Sequence, residues 1–367
     1  MSAPIELPKW ADVSLVPVLA VIVAFLVAGL VVLGIGESPV RASILLVQGA
    51  LGSGEGIGYT LYYATNFIFT GLAVAVAFHA GLFNIGGEGQ ATMGGLGAAL
   101  ICLKLDFLPW WIVLPLAIMG AMAFGAVWAF IPGWLQVKRG SHVVITTIMF
   151  NFLAATLVVY LLVNVIGKPG SMSPETRVFE ASAHLPYLHE ALAAFGITIP
   201  QSPLNLSFVI AIVGSFLVWL LIWHTKLGYA IRTVGHSPSA ATYAGISIGK
   251  ITMITMAISG ALAGLLAVNE ILGVQGRLLL EFSSGYGFIG IAVALMGRAH
   301  PLGIILAAIL FGMLYQGGTE LSFEMPRVTR DMIVAISGLV ILFAGALDGL
   351  IRRPMAGAFA SLLKSEG

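Results

Sequence analysis

Gly81-Leu82-Phe83-Asn84-Ile85-Gly86-Gly87-Glu88-Gly89-Gln90 lies between two apolar runs, 59–78 and 91–103. Its four glycines weaken a helix, and Asn84, Glu88 and Gln90 are costly in hydrocarbon. Irregular backbone at membrane depth is tolerated only inside protein or beside a water-filled cavity, because lipid offers no hydrogen-bond partners. The stretch therefore reads as a broken segment within a helical membrane bundle, near a pathway. The competing reading is a plain cytoplasmic loop between two spans, its turns made by the glycines.

Composition sets the wider frame. The chain has 367 residues, of which 59% are hydrophobic and only 9% charged. A soluble domain carries about 25% charged residues, so this is the composition of a polytopic membrane protein. The net charge of +1 decides little. With Cys102 as the one cysteine, no intrachain disulfide forms and no cysteine-based metal site is suggested. The first apolar run, 16–36, is about 20 residues long, which exceeds a signal-peptide core and suffices to span.

Working outward, the hydropathy pattern predicts an all-α chain with ten spans, at about 16–36, 59–78, 88–104, 110–131, 143–166, 206–224, 250–272, 285–298, 301–318 and 331–350. Arg298-Ala299-His300-Pro301 divides the eighth from the ninth, since charge and proline both oppose continued helix in lipid. With both termini cytoplasmic, ten of the 17 Lys and Arg fall inside and seven outside, the sense of the positive-inside rule. Trp110-Trp111 and Trp134 bracket the fourth span as interfacial aromatics do. Five spans precede the loop 167–205 and five follow it. An odd number per half suggests an inverted repeat, a recurring plan among transporters. The whole of 1–367 is read as one membrane domain, with a first half 1–166, an external loop 167–205 and a second half 206–367.

The proline-rich loop 167–205 has apolar patches that suit one or two short surface helices. It is read either as a docking site for an external partner or as a simple connector. On the other side, Ser237-Pro238 is a helix start, with Ser at the N-cap and Pro at the first helical position. Gly245 ends that helix. The element at 237–245 is read either as a knob for another protein's groove or as a membrane-surface helix with basic anchors. The last external loop, 317–331, carries mixed charges and reads as a solvated turn.

Catalytic and nucleotide motifs fail. Gly245-Ile246-Ser247-Ile248-Gly249-Lys250 has three residues between its glycines where a phosphate-binding loop needs four, and Ile251 where it needs Ser or Thr. The seven histidines show no metal-ligand spacing. Gly260-Ala261-Leu262-Ala263-Gly264 is a small-xxx-small pattern, which signals close helix packing, with Ser259 beside it. Intramembrane polar residues usually face the bundle interior. These are Asn66, Asn84, Glu88, Gln90, Asn151, Asn164, Asn269, Glu270 and Gln275. Asn84, Glu88, Gln90, Asn151 and Asn269 are the candidates for a substrate pathway.

The block Gly71-Leu72-Ala73-Val74-Ala75 through Asn84-Ile85-Gly86-Gly87-Glu88-Gly89-Gln90 resembles the permease subunits of bacterial ABC importers, the group that includes the ribose, branched-chain amino acid and nucleoside systems. Its Gly-Leu-Phe-Asn-Ile-Gly-x-Glu-Gly-Gln form is similar to the nucleoside, simple-sugar-like, permeases. Thr146-Thr147-Ile148-Met149-Phe150-Asn151, the region 225–245, and Ile258-Ser259-Gly260-Ala261-Leu262-Ala263-Gly264 agree with the same family. The resemblance runs from about residue 40 to 353. The chain departs from it at Val143, where the family often has a glutamate, so no role of that acid carries over.

The resemblance implies a non-catalytic membrane subunit that translocates nucleosides, in the bacterial inner membrane. It implies a second permease subunit, identical or different. It also implies an external substrate-binding protein, and a cytoplasmic ABC ATPase that holds ATP and Mg on a separate chain. No cofactor or metal is expected on this one, and no nucleic acid. Ser237, Pro238, Ala241, Tyr243 and Gly245 would form the ATPase coupling helix. The alternatives are the same machine importing a simple sugar or another small polar solute, and an ion-coupled transporter in which Glu88 would be the ion-site carboxylate.

Overall fold

The computed structural model describes residues 15–329 and, beyond these, 332, 333, 335, 338 and 339. Most of the tenth predicted span, 331–350, lies outside the described residues. The described residues are mainly helical, and β pairing among them is limited to the isolated bridges Glu175–Leu279 and Tyr187–Asn205.

The helices are α1 (Val16–Gly34), α2 (Pro39–Leu51), α3 (Gly54–His79), α4 (Gly87–Leu105), α5 (Trp110–Arg139), α6 (Val143–Asn164), α7 (Leu188–Ala193), α8 (Ser207–His224), α9 (Lys226–His236), α10 (Pro238–Tyr243), α11 (Ile248–Gly264), α12 (Tyr286–Met296) and α13 (Pro301–Glu324). A π-helical segment, Val268–Gln275, follows α11. Six helices among the described residues are long and apolar enough to cross a membrane, or seven if one bent pair counts as a span. The sequence reading counted α4 and α12 as spans, but α4 is glycine-rich with polar residues at both ends and α12 has only 11 residues.

The chain divides into two compact units, 1–56 with 313–367, and 57–312. In the first, α1 and α2 form the bent pair, turning through 117°. The turn uses Gly36 at φ +86° and an N-cap at Ser38, whose hydroxyl accepts from the Arg41 amide at 3.4 Å. The sequence reading missed α2, because Arg41 and Gln48 break its apolar run. α2 lies close against the last turns of α13: a Cβ on Gly317 would stand 2.1 Å from the Leu46 carbonyl oxygen.

In the second unit, α3 is the core helix. Phe67, Ile68, Phe69 and Leu72 are fully buried, and burial continues through Ala77, so no face is left for lipid. α5 packs on α4 and α11 with backbones nearly touching. A Cβ on Gly260 would lie 2.2 Å from the Gly125 carbonyl oxygen, and one on Gly264 would lie 2.3 Å from that of Ala121. The small-xxx-small pattern thus serves the α5–α11 crossing. α6 is two-faced: Thr147, Asn151, Ala154, Val158 and Leu162 form a buried helical stripe, while Ile145, Met149, Phe152 and Val163 are exposed. An apolar outer face of this kind suits lipid. Arg298 and Ala299 adopt left-handed φ between α12 and α13, where the sequence predicted the division.

The loop 167–205 holds a short 3₁₀ turn at Ala181–Ala183 as well as α7. It is bonded along its length. The Thr176 amide donates to the Leu278 carbonyl at 3.1 Å, that of Phe179 to Gly276 at 2.8 Å, and that of Leu185 to Leu272 at 2.8 Å. Arg177 donates to both Asp106 carboxylate oxygens, at 2.6 and 3.1 Å, and Arg277 pairs with Glu175 at 3.2 Å.

Candidate functional site

Three clusters gather the candidate residues. The first is the broken segment between α3 and α4. Gly81 takes φ +70°, and residues 83–86 are non-helical. Asn84 is the hub, 1% exposed. Its Nδ2 donates to Gln90 Oε1 at 3.0 Å and Ser259 Oγ at 2.8 Å. Its Oδ1 accepts from Gln90 Nε2 at 3.0 Å and from the Gly86 amide at 2.9 Å. The Ser259 hydroxyl donates onward to the Ala73 carbonyl at 2.6 Å. Asn84 therefore uses both amide protons and accepts twice, the full capacity of the side chain.

Two neighbours hold the flanks of this segment. Asn151 on α6 donates to the Ile85 carbonyl at 3.0 Å and accepts the Gly89 amide at 2.9 Å. Glu88 reaches α12: its Oε1 accepts from Ser283 Oγ at 2.6 Å and the Gly285 amide at 3.0 Å, and its Oε2 accepts the Gly287 amide at 2.8 Å. These amides belong to the first turn of α12, which has no helical acceptors of its own and carries the positive end of the helix dipole. Glu88 thus caps α12. The four pathway candidates in this cluster, Asn84, Glu88, Gln90 and Asn151, hold the broken segment to α6, α11 and α12. Val143 is buried at the first position of α6.

The second cluster surrounds the π segment. Asn269 donates to Asn66 Oδ1 at 2.9 Å and to the Tyr62 carbonyl at 3.1 Å, and its Oδ1 accepts from Asn205 at 3.0 Å and Ser207 at 2.7 Å. Glu270, 4% exposed, takes two 2.6 Å bonds on Oε1, from Tyr62 Oη and Asn66 Nδ2, and a 3.3 Å bond on Oε2 from Gln275. The sequence marked Asn66, Glu270 and Gln275 only as polar residues within apolar runs, and missed Tyr62, Asn205 and Ser207. Nothing in the sequence signals Tyr62 or Ser207, because a tyrosine or serine in an apolar helix is unremarkable.

The third cluster is the run α9–α10–α11. Ser237 caps α10, its Oγ accepting the Ala240 amide at 3.3 Å, and Gly245 ends the helix at φ +75°. Tyr243 is 95% exposed, whereas Ala241 is fully buried and anchors the helix from within. Pro238 occupies the first turn. α9 touches the broken segment directly: a Cβ on Gly235 would lie 2.2 Å from the His79 carbonyl oxygen and 2.9 Å from the Gly81 nitrogen. α9, which leads directly into α10, therefore meets the turn that leads into the Asn84 segment.

The described residues contain no group of three His, Cys, Asp or Glu able to hold a metal. What they offer is two buried networks of amides and carboxyls among apolar helices, and a short exposed helix, α10. Residues 56–345 match the family model for the branched-chain amino acid transport system permease component. The chain belongs to this family. The permease is 36% identical over 335 residues to the guanosine ABC transporter permease protein NupP of Bacillus subtilis, covering 90% of this chain and 93% of that one. It is 32% identical to the nucleoside ABC transporter permease protein NupB of Lactococcus lactis, over 90% of each chain. It is 34% identical to the glucose ABC transporter permease protein TsgB13 of Haloferax volcanii, over 92% of this chain and 88% of that one. The permease is thus a multi-pass membrane transport subunit.

Proposed function

We propose that this permease translocates nucleosides as one membrane subunit of an ATP-driven importer. The observation that carries the coupling is the contact between Gly235 of α9 and the turn His79–Gly81. An ATPase gripping α10 would displace α9, and α9 would press on the turn that opens the broken segment. Asn84, Glu88, Gln90 and Asn151 then hold that segment in register beside the path, and Asn269 does the same beside the π segment. Differential stability of two such arrangements gives alternating access.

The cargo follows from relatives named for guanosine and nucleosides. ATP and Mg would sit on the partner ATPase, and an external binding protein would supply affinity. The membrane would be the cytoplasmic one, with both termini inside and 167–205 outside. Ten spans in two inverted halves remain part of this reading, as does a second permease chain. The relative named for glucose favours a second reading, the same machine carrying a simple sugar.

The test is uptake by vesicles that contain the permease, its partner subunits, the binding protein and an ATP supply. ATP-dependent guanosine accumulation is expected. Glucose accumulation in its place would favour the second reading, and uptake by this chain alone without ATP would overturn both.

A further inference from the structure

Glu270 and Gln275 leave two oxygens short of donors. Glu270 Oε1 is well supplied by Tyr62 and Asn66, but Oε2 takes only the long bond from Gln275. The Gln275 Oε1 atom is buried and accepts no hydrogen bond. A buried acceptor without a donor loses the hydrogen bonds it had in water and destabilises the fold. Side-chain networks inside proteins normally close, and an open one asks for an explanation.

The π turn is what brings the two side chains together. In an α-helix, residues five apart are separated by about 140° around the axis. The i to i+5 pattern of a π turn places them on one side, and such turns recur at functional sites. Tyr62, bonded to Glu270, belongs to an aromatic cluster: its ring lies 5.2 Å from that of Tyr63 at 58°, and Tyr63 meets Tyr286 edge-on at 6.3 Å.

We infer that Glu270 Oε2 and Gln275 Oε1 receive two neighbouring hydroxyl groups of the solute, the vicinal diol of its sugar. Two adjacent acceptors match two adjacent O–H donors, and the Tyr62 ring beside them packs against the C–H face of the sugar. The base of a nucleoside is not read here. This rests on the importer reading above, and both cargoes considered there carry such a diol. The loop bonds from Thr176, Phe179 and Leu185 to Leu278, Gly276 and Leu272 run past the site, so the solute reaches it when the outer side opens.

The test uses the full importer in vesicles, with the binding protein saturated by each cargo in turn. Uptake of guanosine and of 2′,3′-dideoxyguanosine is compared for the parent, Gln275→Ala and Glu270→Gln. Each variant should cut the ratio of guanosine to dideoxyguanosine uptake about tenfold relative to the parent, the weight of one hydrogen bond to a charged or polar partner. The second variant keeps the carboxyl's shape, so the question stays answerable if the first assembles poorly. Equal losses for both cargoes, or none for either, would overturn the diol site while leaving the importer standing. Parent vesicles that move neither guanosine nor glucose overturn the importer reading, and the diol site with it.

Discussion

The Glu88 carboxylate accepts the Gly287 backbone amide at 2.8 Å, which clamps the first turn of α4 to the first turn of α12. The backbones are so close that a Cβ on Gly287 would lie 2.3 Å from the Glu88 nitrogen. Gly287→Ala should push the two helices apart and cost about 1–3 kcal/mol, the usual range for overpacking. Thermal unfolding of the purified chain in detergent measures this, and uptake should fall with the midpoint. An unchanged midpoint would show that the clamp is not tight.

Gly260→Val tests the α5–α11 crossing. Its first added carbon alone would stand 2.2 Å from the Gly125 carbonyl oxygen, a backbone atom that cannot swing away. Loss of folded protein is expected. By contrast, Gly214→Ala, with open space where its Cβ would go, should be tolerated. Comparing the yields of monodisperse protein separates the two cases.

The pair Asp106–Arg177 should give the permease a pH-dependent stability. Hydrogen bonds from the Arg177 guanidinium hold the Asp106 carboxyl below the usual carboxylate range. A depressed carboxyl contributes stability above its unfolded pKa of about 3.9, and that contribution is lost as pH falls through the lower folded value. Asp106→Asn should therefore lower the unfolding midpoint at pH 7, and the gap to the parent should close below about pH 4. Because Arg177 is 42% exposed, solvent screening keeps the effect modest. A gap that persists at low pH would point to packing instead.

Tyr243 and Ala241 separate docking from folding. Tyr243 is nearly fully exposed, so Tyr243→Arg should leave the fold intact and reduce ATPase co-purification about tenfold, as loss of an interface aromatic does. Ala241→Arg buries a charge, and should lower the yield of folded permease before docking is at issue. Undiminished co-purification with Tyr243→Arg would remove α10 from the interface.

Much of this was legible in the residues. Length and apolarity announced α3, α5, α6, α8, α11 and α13, since lipid leaves a helix few alternatives. Ser237-Pro238 and Gly245 announced α10, because capping is local chemistry. The short helix α2 and the π turn were not legible. Arg41 and Gln48 hide the first, and the second depends on side chains that pair only across 200 residues of chain.

The sequence by itself determined that this is a helical membrane chain and marked the polar residues within its apolar runs, most of which the fold buries, although Asn164 at the end of α6 is exposed. It also determined the exposed helix at 237–245, through caps and a glycine that act within a few residues. Only the tertiary structure decided what those polar groups do. Glu88 lies on α4, and only the packing of α12 beside it shows that its carboxylate caps that helix. Ala241 and Tyr243 sit on one short helix, and packing buries the first and exposes the second. The physical reason is range: helix formation and capping depend on near neighbours, whereas a hydrogen bond's partner depends on which distant helix arrives beside it.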